Sequence, residues 1–138
     1  MELKAAARAA LGADVAAKTA ICDAIDRMAA AERGSCDPLE ADISFHVAVL
    51  QASGNRFYAN FSQLTKTALR FSIRHTNSYK GVRIGDVEDH RRIAAAILDG
   101  DSHEAETQMS NLIQGALDLM RDAEAHDAAG ARQRSAGM

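Results

Sequence analysis

A chain of 138 residues with one proline, Pro38, leaves glycine and side-chain caps to punctuate almost all of its backbone. Proline costs about 3 kcal/mol in a helix interior, so its near-absence permits long helical runs. The residues between the breaks favour such runs. Hydrophobic residues make up 47% of the chain, yet aromatics are only 4% and tryptophan is absent. Strands draw on β-branched and aromatic side chains, whereas alanine-rich segments suit helices. The expected class is therefore all-α, with helices packed on helices.

The punctuation divides the chain into about six helices. Residues 2–11 are helical in character and stop near Gly12. Asp14 can cap a helix to about Ala31, in which Val15, Thr19, Ile21, Cys22, Ile25 and Met28 approximate a 3.6-residue period. Arg33 to Asp37 break it, and Pro38 suits the first position of a helix that runs to Ala52 and ends at Ser53-Gly54. Asn55 is read as the cap of one long helix to about His75, and residues 76–85 as a loop rich in Asn, Ser and Gly. Asp86 can cap a helix to Asp99, closed by Gly100. Asp101-Ser102-His103-Glu104 has the form of a capping box and opens a last helix to about Ala125. Residues 127–138, rich in Ala, Gly and Arg without a period, are expected to be a flexible tail. Short connections imply antiparallel neighbours, hence a bundle.

Composition also narrows function. A net charge of −3 provides no basic field for neutralising phosphates, so the chain itself is not expected to bind nucleic acid. No run approaches the ~20 apolar residues of a membrane span, and no basic-then-apolar leader follows Met1. Cys22 and Cys36 form no disulfide framework and suit a reducing compartment, so a cytoplasmic location is expected.

Four of the five histidines follow an aspartate by four residues: Asp42/His46, Asp86/His90, Asp99/His103 and Asp122/His126. That spacing stacks two side chains on one helix face. Spacing alone does not single out a site, because aspartate gathers at helix starts. The face occupied does. His103 lies in a first turn and His126 in a polar end, whereas Asp42 and His46 share a face with Val49 and Leu50. His90 continues the stripe of Val87, Ile93, Ala94 and Ile97. Buried carboxylate and imidazole groups need partners. Two such histidines and an aspartate form a candidate metal site, suited to Zn²⁺, Ni²⁺, Mn²⁺ or Fe²⁺ more than to Ca²⁺ or Mg²⁺. A second stripe, Phe57, Phe61, Leu64, Ala68 and Phe71, leads to His75, which could border the same cavity. Lys66, Arg70 and Arg74 lie on the other side and read as a solvated face.

Four short pieces occur in order: Asp42-x-x-Phe45-His46, Ala52-Ser53-Gly54-Asn55, Glu88-x-His90, and Ala95-Ala96-Ile97-x-x-Gly100-Asp101-x-x-x-Ala105-x-x-x-Met109. In that order and spacing the chain resembles the FCD domain, the effector-binding domain of FadR-type regulators in the bacterial GntR family. The resemblance covers about residues 5–122 and places one domain over residues 1–126, with truncation at its N-terminus left open. It implies an antiparallel bundle around a central polar cavity, a divalent metal held by an aspartate and three histidines, and a small carboxylate effector beside it. By position, Asp42, His46 and His90 match three of those ligands. The fourth position is Leu112, which cannot coordinate and which continues the stripe of Ala105, Met109, Ala116 and Leu119. His75, Asn111 and Arg74 are candidates for effector contact. The resemblance further implies a homodimer whose DNA binding belongs to a winged helix-turn-helix domain, and no such segment precedes Asp42 here.

The leading functional expectation is therefore an effector sensor. A metal-free, degenerate dimerisation or ligand-binding module is the alternative that Leu112 favours. A small metal-dependent enzyme is the third class, but no H-E-x-x-H motif is present, Ser44 lies off the ligand face and Cys36 lies in a loop.

Overall fold

The computed structural model describes residues 1–80 and 87–137, and their side chains except those of 72–80. Within these residues the chain is all-α, with seven helices: α1 Glu2–Gly12, α2 Val15–Glu32, α3 Pro38–Ala52, α4 Arg56–Asn60, α5 Ser62–Lys80, α6 Val87–Leu98 and α7 Ser102–Ala136. None of them is long and apolar enough to cross a membrane.

Helix α3 is the hub. It packs against α1, α2 and α5, while α7 closes the other side against α1, α5 and α6. Its sequence explains the position: Ala41, Ile43, Phe45, Ala48, Val49, Leu50 and Ala52 are all buried, so apolar surface surrounds it rather than forming one stripe. Helix α1 approaches closely because Ala5, Ala6, Ala9 and Ala10 present almost no side-chain bulk to the bundle. Asp37 starts α3 by accepting a hydrogen bond from the Leu39 amide at 2.9 Å, and Pro38 occupies the first turn. Asp14 caps α2 through the Ala17 amide and Asp101 caps α7 through the Glu104 amide. The reciprocal half of that last capping box does not form; the Glu104 carboxylate instead accepts from the Gln108 side chain at 2.6 Å.

Three expectations about element limits need correction. Asn55 does cap a helix, through the Phe57 amide, but α4 ends at Asn60. The Ser62 hydroxyl donates to the Ala59 carbonyl at 2.6 Å, a local bond that competes with the helical ladder, and the expected single helix becomes α4 and α5. Helix α5 then extends to Lys80, past the expected end near His75 and into the residues read as a loop. Helix α7 continues to Ala136 instead of ending near Ala125. Its last turns are exposed, so no apolar period marks them, yet alanine, arginine and glutamine are good helix formers. The expected cap Asp86 lies outside the described residues.

Candidate metal centre and ligand cavity

Asp42 and His46 stand one turn apart on α3, and α6 brings His90 against them. All three are buried, at 3%, 4% and 1% exposure. Both imidazoles aim Nε2 at one atom: Asp42 Oδ1 lies 2.8 Å from His90 Nε2 and 3.3 Å from His46 Nε2. These atoms, a carboxylate oxygen and two imidazole nitrogens, all fall within 4.8 Å of one another. Phe45, fully buried, packs edge-on against both rings, with centroids 4.8 Å from His90 and 5.5 Å from His46. A rigid aromatic wedge thus keeps the two rings from drifting apart.

The other nitrogen of His46 meets a residue that sequence reasoning missed. Its Nδ1 donates to Glu2 Oε1 at 3.0 Å, from the first turn of α1. The contact joins residues 44 apart, so no local spacing signals it. An acid in a first helical turn is common for reasons of the helix dipole alone.

The electrostatics reflect this crowding. Burial alone would raise the Asp42 carboxyl, but the hydrogen bonds and charges of His46 and His90 outweigh it and hold the group well below the usual carboxylate range. Burial alone would likewise depress His46. The Glu2 carboxylate beside it, with the hydrogen bonds to Asp42 and Glu2, pushes it up to about 10. Without an ion the site therefore holds an imidazolium clamped between carboxylates.

The donor set suits a borderline transition-metal ion. Two imidazole Nε2 atoms and a carboxylate oxygen converge, and a carboxylate holds the far nitrogen of one ring, as in carboxylate–histidine–metal arrangements. An ion there would replace the proton that His46 carries.

Asp42, His46, His90 and Glu2 open onto a cavity of about 610 Å³. Leu3 of α1, Leu64, Thr65, Ala68, Leu69 and Phe71 of α5, and Leu112, Ile113, Ala116, Leu117 and Met120 of α7 complete its wall. The expected polar cavity is thus apolar over most of its described wall, with one polar patch. The reason is that α5 and α7 turn their apolar stripes toward it. Leu112 stands in that wall, half-buried, on the helix where the resemblance expects the fourth ligand. Asn111 is exposed and does not line the cavity: with 3.6 residues per turn, the rotation that brings Leu112 inward turns its neighbour out. The side chains of Arg74 and His75 lie outside the described residues. His103 and His126 are exposed, as read from sequence. Arg70 pairs with Glu40 at 3.1 Å and, with Lys66, lines a separate groove between α2, α3 and α5.

Buried carboxylate and imidazole groups that converge beside an apolar cavity between helices have the make-up of a ligand-binding site. The FCD domain family model matches residues 1–115, and the chain belongs to that family, the effector-binding domains of GntR-type regulators. No curated protein sequence matches the chain significantly.

Proposed function

We propose that this FCD domain senses a small carboxylate beside a divalent transition-metal ion held by Asp42, His46 and His90. The observation that carries the reading is the convergence of both Nε2 atoms on Asp42 Oδ1 in a buried site that opens onto a cavity. A bound ion would act as a Lewis acid with positions open to an effector oxygen. Asp42, His46 and His90 would hold it, Phe45 would keep the rings in place, and Glu2 would fix the tautomer of His46. Effector binding would bias a homodimeric regulator between two arrangements, and a winged-helix domain elsewhere in that regulator would read the bias as altered DNA affinity. Zn, Ni, Mn and Fe all suit the donor set.

The test is metal uptake by the chelator-stripped domain, followed by calorimetry and by melting. Zn²⁺ or Ni²⁺ at about a hundredfold excess over Kd should stabilise it by about 2.7 kcal/mol. His90→Ala should abolish the gain, and Leu112→His should tighten the metal. No metal uptake by the parent domain, or a stabilisation that survives in His90→Ala, would count against the reading.

A metal-free ligand-binding or dimerisation module is the second reading, and two observations favour it. Leu112 stands in the cavity wall on the helix where the resemblance expects a fourth ligand, and the polar groups already satisfy one another without an ion. Melting temperatures unmoved by every metal and raised by a ligand in the presence of chelator would select it.

A further inference from the structure

The cavity wall separates by chemistry. Asp42, His46, His90 and Glu2 are linked by two hydrogen bonds and an ion pair into one continuous patch. The wall from α5 and α7 is built of side chains such as Leu64, Phe71, Leu112, Leu117 and Met120. A ligand filling about 610 Å³ of such a space has to bury hydrocarbon along that wall. Apart from Thr65, the described side chains of that wall offer no partner to a hydroxyl or a second carboxylate placed there.

One polar group interrupts the apolar wall. Thr65 is buried at 7% exposure, and its hydroxyl makes no hydrogen bond among the described residues. A buried O–H without a partner is costly and rare. An anionic oxygen entering the cavity is an acceptor for it.

We propose that the effector is a straight-chain aliphatic monocarboxylate, its head at the Asp42–His46–His90 patch with Thr65 as a hydrogen-bond donor, and its alkyl chain along the α5–α7 wall. This rests on the reading of the site as a metal-assisted carboxylate sensor and narrows its ligand. Leu112 belongs to the same logic: its isobutyl group adds hydrocarbon to the wall along which the alkyl chain would lie. Polyhydroxy and polycarboxylic acids are disfavoured, because their second polar end meets Leu117 and Met120 instead of a donor.

The experiment is calorimetric titration of the Zn²⁺-loaded domain with the series from acetate to dodecanoate, and with citrate and gluconate. Affinity should rise about fourfold per methylene until the wall is covered, then level off. Octanoate should bind more tightly than citrate or gluconate. Thr65→Val should weaken octanoate about tenfold and leave Zn²⁺ affinity unchanged. Leu117→Gln, at a position 43% exposed and so safe for folding, should flatten the chain-length dependence. Tighter binding of citrate or gluconate, or affinity independent of chain length, overturns the aliphatic class and leaves carboxylate sensing intact. An unchanged octanoate affinity in Thr65→Val overturns the role of that hydroxyl. No Zn²⁺ uptake, or no binding of any carboxylate, overturns the sensor reading and this inference with it.

Discussion

His46 is held from both ring nitrogens, and the two contacts serve different ends. Glu2 accepts the hydrogen bond from Nδ1–H at 3.0 Å, which leaves Nε2 directed at Asp42 or at an ion in its place. Glu2→Gln keeps the shape but removes the charge, and it should weaken Zn²⁺ binding about tenfold or more in a competition titration. Unchanged affinity would show the contact to be incidental. Asp42 and His46 were legible in the sequence because an aspartate and a histidine one turn apart stand out on so apolar a helix as α3. His90 was legible for the same reason on α6. Glu2 and Thr65 were not: each acquires its meaning from a neighbour that only the packing supplies. These contacts also set the pH response of the metal-free site. His46 rises from 6.5 in the unfolded chain to about 10, so its stabilisation is fully present below pH 6.5 and is lost as pH rises through 10. Asp42 is shifted the other way, so its contribution is present above 3.8 and fades as pH falls toward its lower folded value. With chelator present, the melting temperature should fall between pH 6.5 and 10, and His46→Gln should flatten that limb. Zn²⁺ affinity should change in the opposite sense over the same range, since the ion displaces the His46 proton.

The elements themselves are set by caps, and most caps could be read in advance. Asp14, Pro38, Asn55 and Asp101 each start a helix where their chemistry predicts. Helix lengths were harder to read than helix starts. Ser62 closes α4 by a single side-chain bond, and the last turns of α7 persist without any buried face to announce them. Gly100 shows why its boundary was firm. It ends α6 at φ +74°, with the Gly100 and Asp101 amides bonded back to the Ile97 and Ala96 carbonyls in a Schellman arrangement. A methyl group there would rest 3.6 Å from the Ala10 carbonyl oxygen, an ordinary contact. The penalty for Gly100→Ala therefore comes from backbone conformation and not from space, and should be about 1–2 kcal/mol in urea unfolding. A larger loss would mean that α6 shifts and that His90 moves with it, which Zn²⁺ affinity would report.

At the scale of the whole molecule, the described residues leave an apolar face exposed. Phe57, Phe61, Leu64 and Phe71 succeed one another along α4 and α5, and they are exposed at 68%, 44%, 61% and 68%. The sequence marks this stripe as apolar, and of its members Leu64, Ala68 and Phe71 line the cavity. Large exposed apolar patches on a soluble domain mark contact surfaces. A homodimer of the proposed kind would place this face at its contact, because α5 both carries the stripe and lines the cavity. An effector bound against Leu64 and Phe71 would then touch the side chains that set the partner's position. That arrangement would supply the differential affinity a sensor requires, since ligand and partner would share one helix. Phe57→Ser with Phe61→Ser removes apolar surface that lies outside the ligand cavity and the buried core described above, so the monomer should fold with unchanged helicity. Sedimentation equilibrium should show the parent as a dimer and the double variant as a monomer. Carboxylate binding to the Zn²⁺-loaded variant should persist, with an affinity altered by whatever energy couples the pocket to the interface. A variant that remains dimeric would place the interface elsewhere, and one whose carboxylate affinity is unchanged would separate sensing from assembly.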